Sequence, residues 1–126
     1  MIHLDTNILI ALTNDDDAAE AWLASQAETE ESFYVSSVTW YEFLVGPVRF
    51  HQVKDMQLVL NSAPIEFDAI HAQKAASLFN ETGRARKRKT DTMIAATAIL
   101  QGGRLATRNI EDFRCFEPHG LELIEV

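Results

Sequence analysis

Met1-Ile2-His3-Leu4-Asp5-Thr6-Asn7-Ile8-Leu9-Ile10-Ala11-Leu12 opens the chain, and its reading decides the fold. Met1–Leu4 is a short apolar strand that breaks at Asp5, and Thr6–Thr13 continues with helix-compatible spacing. A strand that passes straight into a helix is the unit of a parallel α/β sheet, and the same alternation runs on. Asp15, Asp16 and Asp17 suit a helix N-terminus, after which Ala18, Ala19, Trp22 and Leu23 recur at helical intervals. Phe33–Val35 reads as a second strand, and Thr39–Val45 as a helix stopped by Gly46-Pro47. Val53, Met56, Gln57 and Leu60 mark another helix, and Ile65–Phe67 a brief strand. Ile70, Ala72, Ala75, Ala76 and Phe79 line a helix that ends near Gly83. Thr90–Gln101 is the most apolar helix, closed by Gly102-Gly103, and Leu105–Thr107 and Leu121–Ile124 complete the strands. The pattern predicts a three-layer α/β/α sandwich with a central, mainly parallel sheet. No repeat, low-complexity tract or linker divides the chain, so residues 1–126 are expected to form one domain.

Composition bounds the function. A 47% hydrophobic content in 126 residues supplies a core without disulfides or a structural metal. Cys115 is the only cysteine, which excludes an internal disulfide and fits a reducing cytoplasm. Asp5 interrupts the first apolar stretch and Ile8–Leu12 is too short to span a bilayer, so a soluble cytoplasmic protein is expected. The net charge of −8 argues against general nucleic-acid affinity. Its distribution says more. No Lys or Arg precedes Arg49, whereas Arg84, Arg86, Lys87, Arg88 and Lys89 gather in one run, with Arg104, Arg108 and Arg114 following. Such a patch can meet a phosphate backbone on an otherwise acidic chain, or be a solvated loop with no partner.

In open parallel sheets ligands sit at the carboxyl ends of the strands, which singles out four acids. Asp5 follows the first strand and either caps the helix at Thr6 or binds a metal. Glu42 completes a capping-box pattern with Thr39, or points into a shared pocket. Asp91 offsets a helix dipole, with Ala95 and Ala98 on its face allowing close approach to the sheet. Asp112 caps a short turn before Phe113 or joins the others. Gathered carboxylates repel unless a cation compensates, and a donor set of oxygens alone favours Mg²⁺ or Mn²⁺ over zinc. The four histidines (His3, His51, His71, His119) are scattered without ligand spacing and read as surface or core.

Four segments in order resemble the PIN-domain family. They are Leu4-Asp5-Thr6-Asn7; Val35-Ser36-Ser37-Val38-Thr39 leading to Glu42; Asp91-Thr92-Met93-Ile94-Ala95-Ala96-Thr97-Ala98; and Ala106-Thr107-Arg108-Asn109 before Asp112-Phe113. Their order and separation resemble the VapC-like toxins of type II toxin–antitoxin systems, over nearly the whole chain. The resemblance implies an endoribonuclease that uses Mg²⁺ or Mn²⁺ and leaves a 5′-phosphate and a 3′-hydroxyl. It matches Asp5, Glu42 and Asp91 to the three main metal-binding acids, and makes Asp112 the fourth candidate. Many relatives have Asp where this chain has Asn109, which can offer an oxygen but no charge. Thr107 matches a hydroxyl residue that positions the site's water or acids, and Asn7 lies within the first motif as a further supporting residue. It also implies a cognate antitoxin that presents basic side chains to the acidic pocket, and a homodimer. Arg84, Arg86, Lys87, Arg88 and Lys89 are then placed to hold the RNA backbone. For the aromatics of the first half, among them Trp22, Phe33, Trp40, Tyr41 and Phe43, a core role is the main expectation.

Other phosphoryl-transfer folds fit less well. A haloacid-dehalogenase-like enzyme needs a second Asp two residues after Asp5, where Asn7 stands, and a response-regulator receiver needs acids where His3-Leu4 stand. No Gly-rich turn follows the first strand, which excludes a dinucleotide site. The alternative that Asn109 keeps open is a catalytically weak PIN-like module that binds RNA or a protein partner.

Overall fold

The computed structural model describes residues Met1–Val126. Four strands form one parallel sheet: β1 (Ile2–Leu4), β2 (Phe33–Tyr34), β3 (Arg104–Thr107) and β4 (Glu122–Glu125), in the order β2-β1-β3-β4. Seven helices connect them: α1 (Thr6–Thr13), α2 (Asp17–Glu28), α3 (Ser37–Leu44), α4 (Phe50–Val59), α5 (Ala69–Glu81), α6 (Lys89–Leu100) and α7 (Ile110–Phe113). No helix is long and apolar enough to cross a membrane.

Strand alternation sorts the core into two layers. Ile2 and Leu4 of β1, with Ala106 and Ile124 in register beside them, face Ile8 and Leu9 of α1, Phe43 of α3 and Met56 of α4. Leu105 and Leu123, one residue out of phase, face Ala75 and Leu78 of α5 and Ile94, Ala95 and Ala98 of α6. A period of two along each strand makes this division unavoidable once both faces are covered. Each fully buried large side chain, Phe43 and Leu78 among them, contributes roughly 1.5–3 kcal/mol of burial free energy. Helix α6 is buried on most of its circumference because its alanines admit α5 and the sheet. Its buried hydroxyls are satisfied within the helix, Thr92 donating to the Lys89 carbonyl at 2.6 Å and Thr97 to that of Met93 at 3.1 Å.

The topology fixes where a ligand can sit. From β1 the chain turns through α1 and α2 to β2, while from β3 it turns through α7 to β4, on the other side. The adjacent carboxyl ends of β1 and β3 are therefore a switch point of the sheet, where the two connections part and leave a crevice.

Three expectations are corrected. Ile65–Phe67 is no strand. Ile65 makes a single parallel bridge with Ser36, because Ser36 leads at once into α3 and leaves nothing further to pair with. Helix α3 starts at Ser37 and not at Thr39. The Ser36 hydroxyl caps it, accepting from the Thr39 N–H at 2.9 Å, so Glu42 stands within the helix and closes no capping box. Arg104, Arg108 and Arg114 do not extend the basic patch, because Glu31, Asp16 and Glu111 respectively neutralise them.

Candidate active site

Asp5 is the first residue beyond β1, and its backbone N–H still pairs with the Ala106 carbonyl at 3.0 Å. Its side chain is only 5% exposed. Oδ1 accepts from the Thr6 N–H at 2.8 Å and Oδ2 from the Thr107 hydroxyl at 2.7 Å. Asp5 thus caps α1 and also faces the end of β3. Thr107 is fully buried and its oxygen is shared: it donates to Asp5 and accepts from the Asn109 N–H at 2.9 Å and from Asn7 Nδ2 at 3.3 Å. Asn7 turns its other end to the Arg108 N–H at 3.3 Å. The β3 turn is thereby stitched to the first turn of α1.

Glu42 reaches the same crevice from α3, where its Oε1 accepts from the Thr6 hydroxyl at 2.6 Å. Asp91 enters from the first turn of α6, and Asp112 stands exposed in α7, next to the crevice. The charges feel one another. Burial pushes the Asp5 carboxyl above its usual range, the Thr107 and Thr6 hydrogen bonds oppose this, and the charges of Glu42 and Asp112 add to the rise. Asp91 is pushed up to about 7, first by burial and then by Asp5, Asp112 and Glu42, with Arg88 pulling the other way. No three His, Cys, Asp or Glu side chains stand in a ready-made metal cage. Asp5 and Glu42 are instead held by hydroxyl and backbone donors. The donor set itself is all oxygen and is short of positive charge, which is the chemistry a hard divalent ion satisfies.

Asn109 is exposed, makes no side-chain cap, and holds its place through its backbone bond to Thr107. Asp112 is the fourth acid whose charge reaches both Asp5 and Asp91. The basic run leaves α5 through Gly83 and Arg84, both with left-handed backbone (φ 93° and 58°), and winds through a short 3-10 turn, Arg86–Arg88, into α6. Arg84 bonds the neutral Asn80 and lies over the Phe79 ring, 5.4 Å from its centroid, and Lys89 lies over the same ring at 5.9 Å. Arg86 and Lys87 are exposed, and Arg88 has a buried Nε without a hydrogen-bond partner. His3 and His71 are buried, His51 is exposed and His119 half-buried.

Two features escaped the sequence reading. The Thr6 hydroxyl positions Glu42, which the residue's place in the first motif could have suggested. Arg108 clamps Asp16 with two bonds of 2.9 and 2.8 Å, while Asp16 also accepts from the Ala19 N–H to cap α2. That pairing joins residues 92 positions apart, and nothing local announces it.

The chain is also similar to known proteins. The chain is 32% identical to Ribonuclease VapC10 of Mycobacterium tuberculosis, with 93% of this chain and 89% of that protein covered. It is 31% identical to VapC ribonuclease Y4jK of Sinorhizobium fredii, with 98% and 96% covered. Among solved structures, a toxin–antitoxin complex from Klebsiella pneumoniae matches with a TM-score of 0.68 and 30% identity over 90% of both chains. VapBC2 of Rickettsia felis, bound to a promoter DNA fragment, shares the fold with a TM-score of 0.78 at 23% identity, covering 100% of this chain and 99% of that one. The PIN domain model matches residues 2–114, so the chain belongs to the PIN domain family.

Proposed function

We propose that the protein is a divalent-metal-dependent endoribonuclease and the toxin of a toxin–antitoxin pair. Two relatives above 30% identity, matched over nearly their whole length, carry the name ribonuclease, and a third is a toxin–antitoxin complex. The observation that carries the reading is the placement of Asp5, Glu42 and Asp91 around the switch point with Asp112 beside them, where burial first and then the charges of Asp5, Asp112 and Glu42 push Asp91 up to about 7. That frustration is relieved by a cation.

Asp5, Glu42 and Asp91 are the residues that would hold Mg²⁺ or Mn²⁺, with Asp112 beside them. When bound, the ion supplies an electrophile for the phosphoryl oxygens and increases the acidity of a water it holds. The chain's own contribution is preorganisation. Thr107 and the Thr6 N–H fix both oxygens of Asp5, and the Thr6 hydroxyl fixes Glu42, so neither acid has to be oriented when the substrate arrives. Asn109 is held beside the site by its backbone bond to Thr107. Arg86, Lys87 and Arg88 make no salt bridge, although Arg88 is near enough to act on Asp91, and they lead directly into the helix that bears Asp91. RNA phosphates meet them there, with Arg84 and Lys89 flanking. The catalytically weak binding module rested on Asn109. With the Asp112 charge present, the site does not lack a fourth acid, and the enzyme is the better-supported reading.

An antitoxin with basic side chains would relieve the same acid pocket. A homodimer is part of the proposal, supported by exposed apolar side chains such as Phe50 at 78% and Leu58 at 86%. The test is cleavage of structured RNAs by the purified protein with Mg²⁺, Mn²⁺ or EDTA, beside Asp5→Asn and Asp91→Asn. Cleavage that needs metal and vanishes in both variants is expected. Cleavage that survives EDTA or either variant would overturn the proposal.

A further inference from the structure

A groove of about 560 Å³ runs between α3 and α6, immediately beside the acids. Ser37, Tyr41 and Val45 recur every four residues and form one wall, with Val38 and Glu42 next to them, and Thr90 and Met93 of α6 form the other. Its size falls within the roughly 300–1,000 Å³ of small-ligand pockets. Its walls are mainly apolar, yet Tyr41 is 61% exposed. Tyr41 leaves the core, whereas Phe43, two residues on in the same helix, is fully buried within it.

We propose that this groove takes one unpaired nucleobase of the RNA, stacked on Tyr41, while the adjoining phosphates lie along Arg86–Lys89. The inference rests on the ribonuclease reading and adds to it a subsite that selects the nucleotide near the cut. Three features choose a base over other occupants. Thr90, in the groove wall, follows the five cations directly, so a chain whose phosphates lie on them has its next base within reach of the groove. The groove is continuous with the acid crevice through Glu42, so a base held there belongs to the nucleotide at the reacting phosphate. Hydroxyls line it too: Ser37 Oγ accepts from the Phe67 N–H at 3.2 Å, which leaves its own proton to donate to a base edge. Every base has a π-face, so the Tyr41 ring gives affinity and the hydroxyls give preference.

The test uses the full chain carrying Asp5→Asn, which stops cleavage, and fluorescence anisotropy with a single-stranded RNA 12-mer of mixed sequence. A matched ribose-phosphate oligomer without bases is the comparison. Tyr41→Ala should weaken binding of the RNA about ten-fold, the scale of one base–aromatic stack, and leave the abasic oligomer unchanged. Tyr41→Phe, which keeps the ring, should restore the base-dependent part. Equal weakening of both oligomers, or of neither, overturns the subsite while the ribonuclease reading stands. Loss of a dimer on Tyr41→Ala in light scattering, without a base-dependent change, assigns the groove to a second copy of the chain and also overturns it. If the Asp5→Asn protein binds neither oligomer, and the wild-type cuts no RNA, both readings fall together.

Discussion

Asp91→Asn should stabilise the metal-free protein near neutral pH, even though it removes a residue assigned to the active site. In the fold the Asp91 carboxyl is raised from 3.8 to about 7. Between those values the folded protein holds a proton that the unfolded chain has released, so stability falls as pH rises through the window and levels off above it. At full value the difference is about 4 kcal/mol. The side chain is partly open to solvent, so screening reduces this to roughly 1–2 kcal/mol. Against it stands the favourable interaction of an acid with the first turn of α6, about 0.3–1 kcal/mol, which Asn loses. Repulsion wins, and the net gain is about 1 kcal/mol, or roughly 2–6 °C in Tm for a chain of this size.

The assay is thermal unfolding of wild-type and variant in EDTA and in millimolar Mn²⁺, from about pH 5 to about pH 8. In EDTA the variant should gain on wild-type as pH rises, and the two should converge at the acid end, where Asp91 is protonated. In Mn²⁺ the order should reverse, because a ligand that binds only the native state stabilises it by RT ln(1 + [L]/Kd) and the variant has lost a donor. A variant less stable than wild-type in EDTA at about pH 8 would refute the argument, since Asp91 would then be a satisfied helix-terminal acid. Equal stabilisation of both by Mn²⁺ would refute its part in metal binding.

Further outcomes follow from the same geometry. Thr107→Val removes the donor to Asp5 and the acceptor for the Asn109 N–H; a destabilisation of about 1–3 kcal/mol is expected. Losing that donor raises the Asp5 carboxyl further, so the acid limb of the cleavage pH profile should move up, and an unmoved profile would show that the bond does not tune Asp5. Neutralising Arg86, Lys87 and Arg88 to Gln should reduce the slope of log binding constant against log salt by about 2, measured with single-stranded RNA. A parallel loss at all salt concentrations would point to misfolding instead. Phe43→Ala should cost roughly 3–5 kcal/mol in urea unfolding, because the ring is fully buried between the sheet and its helices. Gly103→Ala should destabilise measurably in the same assay: its φ is +89° and a Cβ there would meet the Gly120 carbonyl oxygen at 2.8 Å.

What could be read in the sequence was what repeats locally. The strand-to-helix break at Asp5, the apolar α6 and the paired glycines after it each carry a local signal, and the α/β/α sandwich follows from their alternation. Ser36 was missed as a cap because Thr39 and Glu42 offered a competing capping box three residues later. A buried Thr39, 0% exposed, cannot serve as an N-cap facing solvent, but burial of a single threonine is invisible in a pattern. Ile65–Phe67 has strand composition, and only the early start of α3 denies it a partner. Among the candidate acids, Asp5 and Asp91 were legible as a strand-end and a helix-start residue, whereas Glu42 was read as helix-start and stands inside α3. Whether the Asp112 charge reaches Asp5 and Asp91 was not legible, because that depends on where α7 places it relative to β1 and α6. The Arg108–Asp16 clamp depends on the turn after β3 meeting the turn between α1 and α2, which no local spacing encodes.

The charge layout explains how an acidic chain can receive an anionic substrate. At physiological salt the field of an exposed charge fades over about 8 Å, so the total of −8 matters less than which cations remain unpaired. Arg104, Arg108 and Arg114 are paired with Glu31, Asp16 and Glu111; the first two pairs tie distant segments together, and the third is a local surface contact. The run from Arg84 to Lys89 makes no ion pair; two of its members lean on Phe79 and the others are left at the start of α6. The free positive charge is thus concentrated one turn from Asp91, where the free negative charge is concentrated as well. A phosphate alone would be repelled by the acids, and a metal alone would be repelled by the arginines. Each ligand lowers the cost of admitting the other, and metal and RNA should therefore bind with positive coupling: Mn²⁺ should tighten RNA binding to a cleavage-deficient variant that keeps Asp5 and Asp91, and RNA should tighten Mn²⁺ by the same factor. Independent binding of the two would mean that the basic turn and the acid crevice serve different ligands.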